Sequence, residues 1–331
     1  MKKAVSLVAL FLLLLLFAAC TPDGMSIINA TTDPSQYYTY ENGEKYAVGA
    51  FAQTTEEIDA LSIDWLSGSV ALRGDEHATK ITVRDDYVPK EGYEPYCVHT
   101  YVENGVLKIK FMRYNLKISA SIPTKNLTVV VPKTLELKKV SVTTSTASSI
   151  ISDVSCLDFT QNSGGIGGAI TTENCIYNTC FANITAGDVT IKNCNFLKKT
   201  EFVMGTGSAI MEDSRSALIE GQCRTGDFIL HNCNADKADV DISLNGSAYL
   251  TDLVTKDFEL TCTTGSIYAH LSDKMTDYKL DCKSPFDVVY PENMPEDGAD
   301  LIYLRSTAGK IKFLPKEKIM QLLSPEEDQA E

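Results

Sequence analysis

The chain has 331 residues, 44 % of them hydrophobic, with 44 acidic against 30 basic side chains and a formal charge of −14. That apolar share is enough for a packed core and excludes a chain disordered throughout. The acidic balance speaks against nucleic acid or anionic lipid as partners held by the protein surface.

Lys2 and Lys3 precede an apolar run of 16 residues, Ala4 to Ala19, that ends at Cys20. A basic start, a short apolar stretch and small residues before a cut describe a secretory signal peptide over residues 1–19. The run is short for a membrane-spanning helix. Phe17-Ala18-Ala19-Cys20 resembles a bacterial lipobox, with Phe17 where leucine is usual. That resemblance implies lipidation of Cys20 and anchorage to the outer face of the bacterial cell membrane. The alternative is ordinary cleavage near Ala19, with Cys20 incidental. Residues 20–52 are polar and tyrosine-bearing, and read as the lipidated N-terminus and a tether.

From residue 53 a period-two signal begins. Gly68 is followed by Val70 and Leu72, and Gly105, after Asn104, by Leu107 and Ile109. Residues 53–137 read as irregular first turns with large loops, Trp65 packing in or over the first of them.

Residues 138–291 carry the clearest pattern. Gly168, Gly187, Gly207, Gly226, Gly246 and Gly265 are spaced by 19, 20, 19, 20 and 19 residues. Two positions after them come Ile170, Val189, Ala209, Phe228, Ala248 and Ile267; four after come Thr172, Ile191, Met211, Leu230, Leu250 and Ala269. Apolar residues two apart are the strand signal, and a helix would need them three and four apart. A repeat of this length marks a coil whose like turns stack. Strands about 4.8 Å apart then bring equivalent side chains into ladders. A buried Ile, Leu or Phe is worth roughly 1.5–3 kcal/mol, which one turn cannot collect alone.

The polar offsets fit the same reading. Five after the glycines are Glu173, Lys192, Glu212, His231, Thr251 and His270; six after are Asn174, Asn193, Asp213, Asn232 and Asp252. Short Asn and Asp side chains suit a repeated corner, where they bond to backbone and to one another. Each turn is therefore a strand, a glycine turn, a second strand and an Asn/Asp corner. The expected fold is all-β: a parallel β-solenoid of 19–20-residue rungs, right-handed by the usual crossover rule. Gly309, followed by Ile311 and Phe313, extends it. Residues 292–331 hold the final turn, a short C-terminal cap helix around Ile319, Met320, Leu322 and Leu323, and an acidic tail.

Nine cysteines follow Cys20, so at least one is unpaired within the chain. Cys156, Cys175, Cys194 and Cys233 are assigned to one column, Cys223 and Cys262 to another. Stacked, buried free thiols are the favoured reading; one or two disulfides between adjacent turns are the alternative.

Catalytic patterns are weak. His231 and His270 share a column two turns apart, about 10 Å, too far for one metal ion. His77 and His99 join no motif. Gly164-Gly165-Ile166-Gly167-Gly168 reads as a solenoid turn rather than a phosphate loop. Asp85-Asp86 and Asp236, Asp239 and Asp241 beside Lys237 could serve a polysaccharide-cleaving β-helix, but read better as solvated edges. No catalytic residue, metal ligand or cofactor site is assigned.

Tyr46-Ala-Val-Gly49, Ile58-Asp-Ala-Leu-Ser-Ile-Asp-Trp-Leu-Ser-Gly-Ser-Val70, Asn104-Gly-Val-Leu-Lys-Ile109 and the Thr-Gly-Ser/Asp turns together resemble the bacterial DUF4097 adhesin-like β-strand repeat family over residues 40–314. The resemblance implies a parallel β-solenoid on the cell envelope and transfers no catalytic residue. The function expected is a non-catalytic surface lipoprotein that binds an envelope protein or glycan. The alternatives are a structural or stress-signalling component assembling through solenoid ends, and a polysaccharide-active enzyme.

Overall fold

The computed structural model describes residues 37–117, 122–291 and 298–324. The leader, Cys20 and the end of the acidic tail lie outside them. Among the described residues the chain is mostly β and forms a parallel β-solenoid of about nine turns with one short helix, Lys316–Leu323.

Each regular rung contributes a long strand to one sheet and a four-residue strand to the other. The long strands include Ser155–Ile166, Ile176–Ala186, Asn195–Thr206, Arg215–Thr225 and Asn234–Asn245. The short ones include Ile170–Glu173, Val189–Lys192, Ala209–Glu212 and Phe228–His231. Pairing is parallel and in register, so Ile170, Val189, Ala209, Phe228, Ala248 and Ile267 form one ladder. All six are buried, as are the six residues two places further on, Thr172 included. These two ladders form one wall of the core. Phe159, Cys180, Thr200, Ile219, Ala238 and Phe258 face them from the long strands.

The alternation of 19 and 20 residues has a local cause. The pairing register shifts within Asn195–Thr206 and within Asn234–Asn245, where the 20-residue rungs place their extra residue in the long strand. A β-bulge absorbs one residue and leaves the neighbouring ladders aligned. Leu197 and Leu244, at the two bulges, are exposed.

The glycine turn needs glycine for two reasons. Gly187, Gly207, Gly226, Gly246 and Gly265 all have positive φ, between 127° and 152°. A Cβ on any of them would also collide with the carbonyl oxygen of the glycine one rung earlier. Gly168 departs from this column: the positive φ falls instead on Gly167, at 88°. At the opposite corner Asp153, Asn174, Asn193, Asp213, Asn232 and Asp252 adopt left-handed backbone, φ 47–56°. Asn and Asp tolerate that conformation best among residues with a Cβ.

Four expectations need correction. The Cys175, Cys194, Ser214 and Cys233 column is preceded by Val154, not by Cys156. The residue before the corner cysteines is the left-handed one, Asp153 in this rung, and Cys156 aligns with Tyr177 instead. Asn104-Gly105 is not a solenoid turn. It is the two-residue loop of an antiparallel hairpin, His99–Glu103 with Val106–Lys110, as Asn-Gly with two positive φ angles favours. The helix Lys316–Leu323 packs chiefly beside the solenoid, on Ala248–Cys262 and Ile267–Leu271, with Ile319 buried. These strands lie inside the last rung, so the helix does not close it.

The fourth correction concerns stacking order, which follows the sequence only in the middle. Near the N-terminus the rung of Ala60–Trp65 and Gly68–Asp75 is sandwiched. Val106–Lys110 and Lys125–Pro132 lie outside it, and Glu136–Thr144 and Ser148–Ser152 inside. Near the C-terminus Asp300–Ser306 and Ile311–Phe313 insert between the preceding rung and Tyr278–Lys283 with Val288–Val289. At both ends the chain steps outward and then returns.

Candidate functional site

The outer face of the long-strand sheet carries three adjacent ladders. The central one runs Thr160, Phe181, Glu201, Glu220, Asp239, Glu259, Tyr303 and Asp281. Four successive carboxylates thus stand one strand spacing apart, about 4.8 Å. Like charges at that spacing repel, and neighbouring lysines relieve part of this. Lys199 Nζ lies 2.8 Å from Glu201 and 2.7 Å from Glu220. Lys237 lies 3.1 Å from Asp257. Those glutamates hold the Lys199 ammonium above its ordinary pKa. Towards the N-terminus Thr143, Asn162 and Asn183 carry the next ladder, while Lys139 and Asp158 stand opposite each other in the ladder of Lys199.

The short-strand sheet presents a different stripe: Ile150, Thr171, Thr190, Ile210, Ile229, Tyr249 and Tyr268, uncharged until it reaches Lys312. The Tyr249 and Tyr268 rings stack 5.4 Å apart at 18°. At the adjoining corner the Asn193 amide donates to Asn174 Oδ1 at 2.7 Å, and Asn232 to Asp213 Oδ1 at 2.7 Å. A shallow depression of about 220 Å³ near the bulge is lined by Phe196, Leu197, Arg215 and Asp236 among others. That is below the size of ordinary small-molecule pockets, ~300–1,000 Å³.

Sequence reasoning passed over Lys125. It is fully buried, and its ammonium donates to Asp85 Oδ2 at 3.0 Å, to the Tyr96 carbonyl at 2.7 Å and to the Phe111 carbonyl. It sits 4.6 Å from the centre of the Trp65 ring and 4.2 Å from that of Phe111. Burial pulls its pKa down to about 8, with Asp85 opposing that shift. Asp85 also accepts the Val98 N–H at 2.9 Å, and the Trp65 indole donates to the Lys125 carbonyl at 3.0 Å. All three hydrogens of the ammonium are engaged, so this is a structural knot between the hairpin and the first rung. The signal was present: in Lys125, Leu127, Val129 and Val131 the period-two phase puts the lysine on the inward side.

The remaining candidates are dispersed. Asp86 binds Asn126 through backbone and side chain. Asp236 pairs with Lys256 at 2.7 Å, and Asp241 accepts from Thr261 at 2.7 Å. His77 is exposed and His99 is buried against the Cys97 carbonyl. His231 Nδ1 lies 2.6 Å from Thr251 Oγ1. His270 Nδ1 lies 3.3 Å from Asp252, which also pairs with Lys316 of the helix. Trp65 is wholly buried. The glycine-rich segment 164–168 forms a solenoid turn in which Gly165 abuts the Ser145 carbonyl. The nine described cysteines are free, eight of them buried. Residues 37–52 pack on the first turns, where Tyr38, Tyr40 and Tyr46 meet edge to face. Cys20 lies outside the described residues.

No known protein-family profile matches the chain, and no curated protein matches it. Solved structures do resemble it. A proposed adhesin from Bacteroides fragilis NCTC 9343 is 14 % identical, with a TM-score of 0.40 over 81 % of this chain and 97 % of that one. A proposed adhesin from Parabacteroides merdae ATCC 43184 is 16 % identical, TM-score 0.38, over 85 % and 100 %. A proposed lipid-binding protein from Parabacteroides distasonis ATCC 8503 is 14 % identical, TM-score 0.40, over 80 % and 96 %. Scores this low assign neither ligand nor activity, and the fold rests on the strand pairing described above.

Proposed function

We propose that the chain is a non-catalytic, adhesin-like envelope protein that holds an extended partner, a glycan or an envelope protein, along its solenoid faces. The observation that carries this reading is the set of in-register outer ladders, the central one repeating a carboxylate at one spacing over four successive rungs. A repeating ligand can meet such ladders through many weak contacts that act together. The acidic stretch Glu201, Glu220, Asp239 and Glu259 favours a partner with positive or hydroxyl-rich groups. Anchorage through a lipid on Cys20 is part of the proposal and rests on the leader sequence.

Binding to envelope fragments and to defined polysaccharides tests the face. The Glu220→Lys, Asp239→Lys double variant should bind at least about tenfold more weakly, or 1.4 kcal/mol, with its β-sheet circular dichroism retained. Binding that ignores these substitutions would remove the face from consideration. Membrane fractionation tests the anchor separately: Cys20→Ala should move the protein to the soluble fraction, and continued membrane retention would refute lipidation.

A further inference from the structure

The two ends of the solenoid are finished differently. At the N-terminal end the outer parallel strands are followed by antiparallel ones: His99–Glu103 and Ala47–Val48 in one sheet, Ile81–Asp85 and Phe51–Gln53 in the other. At the C-terminal end the outermost strands are Tyr278–Lys283 and Val288–Val289. Among the described residues each is paired along one edge only. Leu280 and Cys282 continue the inner ladders of Ile302 and Leu304, yet they remain half-exposed where those two are fully buried. Phe286, Val289 and Tyr290 on the same rung are exposed. Open edges of this kind recruit further strands.

We propose that the occupant of this edge is a second copy of the chain, its Tyr278–Lys283 strand running antiparallel about a two-fold axis at Leu280. The charge pattern selects this register. With Leu280 opposite Leu280, Lys279 faces Asp281 of the other copy and Lys283 faces its Asp277, all on the outer side of the joined sheet. Moving the axis to Asp281 would oppose Asp281 to itself and Lys279 to Lys283. Moving it to Lys279 would oppose Lys279 to itself and Asp277 to Asp281. Like charges directly opposed are unfavourable, and a shift of odd parity would set outward lysines against inward apolar residues. In the favoured register Leu280 covers Leu280 and Cys282 meets Tyr278, so the two cores become continuous. A two-fold contact closes on itself and consumes the edge, giving a dimer rather than a fibre. The proposal does not depend on what the sheet faces bind.

Light scattering of the full chain in detergent should give twice the chain mass after subtraction of the micelle; a monomer at every concentration overturns the proposal. Asp281→Lys, which opposes lysine to Lys279, should yield monomers. The reciprocal double variant Lys279→Asp, Asp281→Lys restores opposite charges and should restore the dimer. A dimer indifferent to Asp281→Lys, or a folded double variant that stays monomeric, overturns it. Should Asp281→Lys fail to fold, the wild-type register is read directly. Zero-length carbodiimide coupling of mixed heavy and light isotope-labelled copies should link Lys279 of one label to Asp281 of the other. Links confined to a single label overturn the proposal.

Discussion

At the scale of single residues, the fold depends most on positions where a side chain has no room. Gly226 has φ 133°, and a Cβ there would run into the Gly207 carbonyl. Gly226→Val combines a disallowed backbone angle with overpacking and should cost about 3–5 kcal/mol. Gly167 also has positive φ, 88°, but has open space around its Cβ direction. Gly167→Asn should therefore stay within about 1 kcal/mol of wild type. Urea midpoints of the two variants check the contrast, and equal losses would mean that close approach between rungs is not what the glycine column serves.

At the scale of the rung, the corner explains the cysteines. The thiols of Cys175, Cys194 and Cys233 donate to the carbonyls of Glu173, Lys192 and His231, at 3.1, 3.2 and 3.4 Å. Ser214 donates in the same way to Glu212 at 2.6 Å. Each also serves the rung before: Cys175 N–H points at Cys194 Sγ, 3.4 Å, and Cys194 N–H at Ser214 Oγ, 2.9 Å. The position asks for a small side chain that both donates and accepts. Cys194→Ser should thus cost less than about 1 kcal/mol, while Cys194→Val leaves the buried Cys175 N–H unpaired and should cost about 1–3 kcal/mol. Chemical denaturation separates them; valine tolerated as well as serine would reduce the column to packing. The corner and the inward ladders were legible in the sequence because each rung repeats one phase of alternation between two fixed turns. The ends were not. Alternation in Tyr278–Lys283 and in Asp300–Ser306 is equally good, and nothing local says which strand lies outside. Lys125 was hidden for the opposite reason: its identity suggests surface, and only its phase within Lys125–Pro132 places it inside. Of the candidate face, residue types and order could be read, but the ion pairs around Lys199 depend on the bulge in Asn195–Thr206.

Across the whole molecule, buried thiols tie stability to pH. Burial pushes the thiol pKa values of Cys156 and Cys180 far up, and that of Cys233 to about 12, from an ordinary 9. Between those limits the unfolded chain releases these protons and the folded chain keeps them. The unfolded state then binds fewer protons, so stability falls as pH rises above about 9. Each thiol contributes a slope of about −1.4 kcal/mol per pH unit, so three give about −4. Lys125 works in the other direction. Its folded pKa is about 8 against 10.5 when unfolded, so between those values it adds stability at one group's slope. Three groups outweigh one, and the urea midpoint should drop steeply between pH 9 and about 10.5. Replacing Cys156, Cys180 and Cys233 together by alanine, which carries no titrating group, should make that drop less steep even if the variant starts from a lower midpoint. A decline equally steep in the triple variant would assign the alkaline loss to other groups, first the raised thiols of Cys194, Cys223, Cys262 and Cys282 and then the buried tyrosines.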